Sequence, residues 1–170
     1  MDVMKARMED INPEIRVEAH RCFYLPETAD RFDFSQYSYI IDAVDTITAK
    51  IEIVMQAQQC GTPVISCMGA GNKLDPMALR VADLYDTSVC RLARVMRREL
   101  RARGVKALKV VYSTEAARPA SGQMTAEELE GGTKRAVPGS NAFVPAAAGL
   151  LLAGEVIREI SGIDQENPLV

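Results

Sequence analysis

The chain of 170 residues is long enough for one domain with a real core, and 48% of its residues are hydrophobic. This composition, with 25% charged residues, excludes disordered, collagen-like and low-complexity proteins. The net charge of −3 argues against polyanion binding by bulk charge, and a single histidine, His20, disfavours a histidine-rich metal site and a Ser-His-Asp triad.

The first part of the chain predicts one helix and two strands. Apolar residues at positions 4, 8 and 11 lie on one helix face, and Asn12-Pro13 ends that helix. Residues 15–19 alternate between apolar and polar, which predicts a strand. The polar stretch 26–36 holds at most a short helix, and residues 39–41 form a short buried strand that ends at Asp42.

The rest of the chain alternates helices with strands. A helix whose apolar face begins at Ile47 ends at Gly61, because glycine readily takes the left-handed cap position. A buried strand at 64–67 and a short strand at 78–82 come next. They are followed by a long helix at 88–103, a strand at 106–112, a polar loop at 114–139 and a last helix at 141–161.

This alternation predicts an α/β fold, in which helices flank a mostly parallel sheet and right-handed crossovers join its strands. No repeat or linker divides the chain, so residues 1–170 are assigned to a single domain. In such sheets ligands bind beyond the carboxyl ends of the strands. The loops after Ile41, Cys67 and Tyr112 are therefore the three candidate ligand loops.

The four cysteines indicate an intracellular protein. No two of them have the C-x-x-C spacing of a zinc site or redox motif, so we predict reduced thiols packed in or near the core. The longest apolar run, residues 142–153, is interrupted by Pro145 and Gly149 and is too short to span a bilayer. We expect a soluble, cytoplasmic protein with no membrane contact.

Two carboxylates follow the strand at residues 39–41. Asp42 and Asp45 at this edge could hold Mg²⁺, which prefers one or two carboxylates together with substrate phosphates. Lys50, five residues further on, could lie over a phosphate. The alternative is that Asp45 only caps the following helix.

The loop Gly69-Ala70-Gly71-Asn72-Lys73 follows the next strand. Its glycines would let the backbone approach a ligand closely, because glycine has no Cβ. Asp75-Pro76 stands where the helix of a dinucleotide fingerprint should begin, so the loop is not that motif. A plain turn without a ligand explains it equally well.

A basic stripe marks the helix at residues 88–103. Nine basic and two acidic residues lie between positions 88 and 118, so this segment carries +7 and the rest of the chain −10. Such a stripe suits phosphates, although a merely solvated face is the alternative. The residues that share this helix face are Arg91, Arg94, Arg98 and Arg101. On the last helix, small residues instead indicate core packing or a subunit interface.

Several stretches together resemble the ThiF/HesA-type family of ubiquitin-activating-enzyme-like adenylating proteins, over nearly the whole chain. Their order and density are most like the family's tRNA threonylcarbamoyladenosine dehydratase branch. The matching stretches are residues 11–13, 39–45 with Lys50, 66–76, 87–90 leading into 92–97, 109–113, 138–145 and 148–156.

The resemblance implies a Rossmann-like fold and ATP-dependent adenylation of a carboxylate with Mg²⁺. In the dehydratase branch that carboxylate belongs to threonylcarbamoyladenosine in tRNA, and ring closure with loss of AMP gives the cyclic base. The stretch Asp42-Ala43-Val44-Asp45 would serve the nucleotide, Asp45 its metal and Lys50 its phosphates. A tRNA partner and a homodimer are expected.

Two other hypotheses remain. Relatives that activate ubiquitin-like or sulfur-carrier proteins commonly have a cysteine before the last helix, where residues 113–141 contain none, so a carrier-protein acceptor ranks second. The third is a truncated, non-catalytic fragment that binds nucleotide weakly, because the family's N-terminal phosphate-loop unit has no counterpart here. Asp86 and Arg91 also replace a lysine and a proline that relatives often have.

Overall fold

The computed structural model describes residues 1–118 and 138–163, which contain a four-stranded sheet in the order β1-β2-β4-β3. β1 pairs parallel with β2, and β2 pairs parallel with β4. β3 pairs antiparallel with β4 at the edge. The strands are β1 Ile40–Asp42, β2 Val64–Cys67, β3 Leu79–Asp83 and β4 Lys109–Ser113. The predicted mostly parallel α/β sheet is confirmed.

β3 runs antiparallel because no crossover helix precedes it. Between β2 and β3 the chain contains only a loop and the short 3-10 helix Pro76–Ala78, and parallel partners need a longer connection. β4 follows a full helix and therefore enters the sheet in the same direction as β2.

Four α-helices lie among the described residues, and three of them cover the sheet. They are α1 Asp2–Ile11, α2 Ile47–Cys60, α3 Arg91–Ala102 and α4 Val144–Ser161. α2 ends as predicted at Gly61, whose φ of +70° is the left-handed conformation that glycine adopts easily. At the start of α4, the Asn141 side chain accepts hydrogen bonds from the backbone N–H groups of Phe143 and Val144.

The core is divided by the sheet into two apolar layers. On one side α2 and α3 contribute Val54, Met96 and Leu100, and Val110 of β4 packs with them. On the other side Ala148, Leu152 and Val156 of α4 pack against Ile65 and Val111. The fold is thus three layers deep, with the carboxyl ends of three parallel strands at one edge.

Three predictions need correction. Residues 15–19 form no strand, because an alternating pattern needs a partner and no described strand pairs with them. The strand predicted as buried at residues 39–41 is β1, but 48% of Ile41 is exposed. All four cysteines are free as expected, but Cys22 and Cys60 are exposed rather than packed in the core. None of the helices that the structure describes is long and apolar enough to cross a bilayer.

Candidate ligand site at the carboxyl edge of the sheet

A cavity of about 780 Å³ lies at the carboxyl edge of the parallel strands. The loops after β1, β2 and β4 all line it, as the position of the three strand ends predicts. The start of α3 and the first half of α4 complete its wall. The residues with polar or charged side chains in the lining are Asp45, Cys67, Lys73, Cys90, Arg91 and Glu115.

Asp45 provides a carboxylate at this cavity. It is exposed and lines the cavity together with Ala43. α2 begins with Thr46 at the N-cap position and with no side-chain capping bond, so Asp45 is not the helix cap. Its one hydrogen bond comes from the Thr46 hydroxyl at 3.3 Å. The carboxylate is therefore available to a ligand or cation.

Asp42 and Lys50 lie outside the cavity lining. The Lys50 ammonium donates to Asp42 Oδ2 at 3.0 Å, to the Cys67 carbonyl at 2.7 Å and to Ser66 Oγ at 3.4 Å. Ser66 Oγ also donates to Asp42, and the second carboxylate oxygen accepts from the Val44 N–H at 3.2 Å. Because every polar group of the pair is engaged inside the protein, the direct phosphate contact predicted for Lys50 and the cofactor contact predicted for Asp42 are not supported.

The glycine loop serves packing as well as the cavity. A Cβ on Gly71 would lie 2.9 Å from Pro138 Cβ, so this glycine makes room for the segment before α4. Asn72 has a left-handed φ of +57°, and its side chain accepts from the Gly139 N–H. A Cβ on Gly69 would make only ordinary contact with Leu92, at 3.8 Å. The structure therefore explains Gly71 and Asn72 without a ligand, although Gly69 and Gly71 line the cavity.

Glu115, which the sequence analysis missed, holds the end of this loop. Its carboxylate accepts from the N–H groups of Leu74 and Asp75, both at 2.9 Å. The bond from Asp75 is the largest cause that holds the pKa of Glu115 below its usual range, and the bonds from Leu74 and Arg118 act in the same direction. Its position directly after β4, at the ligand edge, was the available sequence signal.

Two thiols line the cavity beside the loop. Cys67 ends β2 and is half-buried, whereas Cys90 precedes α3 and is buried. Burial raises the pKa of the Cys67 thiol, and the positive charge of Lys50 opposes that rise. A raised pKa disfavours the thiolate, so we expect Cys67 to be a poor nucleophile.

The predicted arginine face of α3 is exposed. Arg91, Arg94, Arg98 and Arg101 all lie on the surface, whereas Arg97 turns inward to the Thr87 backbone and hydroxyl. Arg98 pairs with Glu99 at 2.7 Å, and Arg101 lies 5.0 Å above the Tyr85 ring. Arg91 also lines the cavity, so the arginine face begins at the cavity mouth.

Fold and pocket define an α/β protein with a ligand cavity at the carboxyl edge of a mostly parallel sheet. Residues 1–169 match the ThiF family, and the chain belongs to that family. The tRNA threonylcarbamoyladenosine dehydratase of Bacillus subtilis is 38% identical over 165 residues, which cover 94% of this chain and 65% of that protein. The Escherichia coli protein of the same name is 32% identical over 123 residues, which cover 68% of this chain and 46% of that protein.

A solved structure has the same fold. The E. coli tRNA N6-threonylcarbamoyladenosine dehydratase TcdA in complex with AMP matches 98% of this chain and 65% of its own, with a TM-score of 0.79 and 25% identity. A second TcdA structure, in complex with ATP, has the same TM-score. The chain thus spans 65% of the length of the B. subtilis relative and of the TcdA chain, and 46% of the E. coli relative.

Proposed function

We propose that this chain takes part in the ATP-dependent adenylation of a carboxylate, and that the carboxylate is that of threonylcarbamoyladenosine in tRNA. The single observation that carries the proposal is the cavity where Asp45 and Lys73 place a free carboxylate and an ammonium at the carboxyl edge of the sheet. The names of the relatives and the AMP complex of TcdA support the same reaction.

Asp45 is the residue that suits a magnesium ion. No group of three or more metal-ligating side chains occurs in the described ranges, so a site built from protein ligands alone is not available there. Mg²⁺ with a nucleotide needs only one or two carboxylates, because phosphate oxygens and water supply the other ligands. Bound there, the ion would neutralise charge on the phosphates, and Asp45 would hold it.

Asp42 and Lys50 support this site from below the cavity. Their ion pair joins the end of β1 to α2, and the Lys50 bond to the Cys67 carbonyl adds the end of β2. These are the two strand ends from which Asp45 and the glycine loop emerge. We assign to the pair the role of fixing those loops, in place of the nucleotide and phosphate contacts expected from the sequence.

The arginine face of α3 is the proposed tRNA contact. Its four exposed arginines form a positively charged face that suits a phosphate backbone, and Arg91 joins this face to the cavity. Arginine contacts to phosphates give affinity without sequence readout. A tRNA partner also agrees with a cytoplasmic location, which we propose with it.

A product assay tests the proposal. The chain is incubated with ATP, Mg²⁺ and tRNA that contains threonylcarbamoyladenosine, with the B. subtilis relative as positive control. AMP and the cyclic base in equal amounts would support it. No AMP and no cyclic base would overturn it, and would select the non-catalytic alternative. ATP–pyrophosphate exchange that depends on a carrier protein and ignores tRNA would select the carrier-protein alternative.

We also propose that α4 joins two copies of the chain. Five exposed apolar residues recur along one face of this helix at alternating spacings of four and three, the pattern with which helices pack. These residues are Ala146, Leu150, Ala153, Ile157 and Ile160. Sedimentation should show a dimer that the double variant L150E/I157E dissociates and the exposed control M77E does not. A monomeric wild-type chain would contradict this.

A further inference from the structure

Lys73 is a buried cation without a carboxylate partner among the residues that the structure describes. Only 4% of its surface is exposed, and its ammonium donates one long hydrogen bond, to the Ser113 carbonyl at 3.5 Å. Lys50 is equally buried, but it has three acceptors, one of them a carboxylate. The Lys50 ammonium therefore has its charge and hydrogen bonds matched within the protein, whereas the Lys73 ammonium has no opposite charge among the described residues.

An ammonium removed from water without a counter-charge is costly, and proteins normally pair it. Lys73 lines the cavity, so a ligand in the cavity can supply that charge. The positive charge of Lys73 also acts on a neighbouring group of the cavity wall, the Cys67 thiol. Burial raises the pKa of the Cys67 thiol, and the Lys73 charge is among the groups that oppose the rise.

The backbone around Lys73 is fixed from two sides. Asn141 Nδ2 donates to the Lys73 carbonyl at 2.7 Å, and Glu115 accepts from the next two N–H groups, at Leu74 and Asp75. Such supports keep a binding group in place before the ligand arrives. The ammonium is thus held at the cavity wall by its own loop.

We propose that Lys73 binds an anionic oxygen of the ligand in this cavity. That oxygen belongs to a phosphate of the adenine nucleotide or to the carboxylate that is to be activated. This inference rests on the proposed function, because that function supplies both anions. It adds a binding residue on the loop after β2 to Asp45 on the loop after β1.

Side-chain NMR tests the inference on the intact chain. The ε-CH₂ signal of Lys73 is assigned by its absence in Lys73→Met, and the exposed Lys106, outside the cavity lining, provides the control signal. The probes are adenosine, AMP, inorganic pyrophosphate and N-carbamoyl-L-threonine at millimolar concentrations. Lys73→Met should weaken binding of the anionic probe about tenfold and leave adenosine unchanged, since a hydrogen bond to a charged group is lost. Lys73→Arg should retain part of the affinity for the anionic probe, because it keeps the positive charge.

The outcomes separate the sources. A Lys73 shift with AMP that exceeds the shift with adenosine assigns the contact to phosphate, whereas a shift with N-carbamoyl-L-threonine assigns it to the carboxylate. A shift with pyrophosphate while adenosine and AMP do not bind keeps the inference and removes the nucleotide site. The inference is overturned if none of the probes shifts the Lys73 signal more than the Lys106 signal. Thermal unfolding gives a second check, because removal of an unpaired buried charge should not lower Tm, whereas a structural lysine would.

Discussion

The Lys50 ammonium lies 3.0 Å from Oδ2 of Asp42, and both side chains are almost fully buried, with 1% and 0% of their surfaces exposed. The two residues belong to different elements, α2 and β1, and Ser66 of β2 closes the network. A buried ion pair thus joins α2 to the ends of two neighbouring strands beside the ligand cavity. The pair lies outside the cavity lining, and we propose that it holds the loops of the site in place.

Removal of one partner should destabilise the whole domain. Lys50→Met leaves a buried carboxylate unpaired, and we expect the free energy of unfolding to fall by about 3–5 kcal/mol. Asp42→Asn should have a similar effect, and the double variant should lose clearly less than the sum. Urea unfolding followed by circular dichroism measures all three.

The matched control is a surface pair. Lys5 lies 3.7 Å from Glu9, and 41% and 46% of their side-chain surfaces are exposed. Lys5→Met should change the free energy of unfolding by less than about 0.5 kcal/mol. A Lys50→Met variant as stable as Lys5→Met would show that the buried pair does not hold the strand ends.

Glu115 should make the loop after β2 sensitive to acid. Backbone N–H groups of Asp75 and Leu74 hold the pKa of this carboxyl below its ordinary value of 4.5. A lowered pKa in the folded state gives stability that is complete above the ordinary value and is lost as the pH falls through the lower folded value. Glu115→Gln should therefore lose stability at neutral pH, and its difference from wild type should vanish in acid.

Hydrogen exchange locates the effect. The amides of Leu74 and Asp75 should exchange faster in Glu115→Gln than in wild type at neutral pH. Glu99→Gln is the control, because the pKa of Glu99 is also lowered, chiefly by its hydrogen bond with Arg98, and none of its bonds reaches the loop. Unchanged exchange at both amides in Glu115→Gln would refute this role.

Gly71 should tolerate substitution less well than Gly69. A Cβ at Gly71 would clash with Pro138 at 2.9 Å, so Gly71→Ala should cost about 1–3 kcal/mol and weaken the hydrogen bond between the Asn72 N–H and the Gly139 carbonyl. Gly69→Ala meets no atom closer than 3.8 Å and should change stability by about 0.5 kcal/mol or less. Thermal unfolding compares the two, and equal Tm values would contradict the packing role of Gly71.

Neutralising the α3 arginines should weaken tRNA binding and its dependence on salt. For Arg94→Gln/Arg98→Gln, each lost phosphate contact should lower the slope of log affinity against log salt by about 0.7–0.9. Filter binding at several salt concentrations measures this. The control is Arg16→Gln/Arg21→Gln, which removes the same charge from exposed positions outside α3. Equal salt slopes in the two double variants would show that the arginine face does not bind tRNA and is only a solvated surface.

Local patterns allowed most of the fold to be predicted. The helix ending at Gly61 and the buried strand at residues 64–67 were predicted because periodicity and caps are properties of short segments. The antiparallel direction of β3 was not visible, since it depends on the length of the connection before it. The strand predicted at residues 15–19 was wrong for a related reason, because an alternating pattern does not reveal whether a partner strand exists.

The cavity lining could be predicted where chain topology determined it. Asp45 and Lys73 were expected at the carboxyl edge because both follow parallel strands, and both line the cavity. The buried ion pair of Lys50 was not predicted because its partners, Asp42 and Ser66, are brought to it only by packing of α2 on the sheet. The same holds for Glu115, which reaches a loop 40 residues away.

The magnesium dependence of ATP binding tests the central claim most directly. Asp45 is exposed and does not cap α2, so Asp45→Asn should leave Tm unchanged and isolate the ligand site. By calorimetry with millimolar ATP, Mg²⁺ should tighten ATP binding to wild type and not to Asp45→Asn, while adenosine binds both alike. An equal effect of Mg²⁺ on both proteins, or no ATP binding to wild type, would contradict an adenylation site in this cavity.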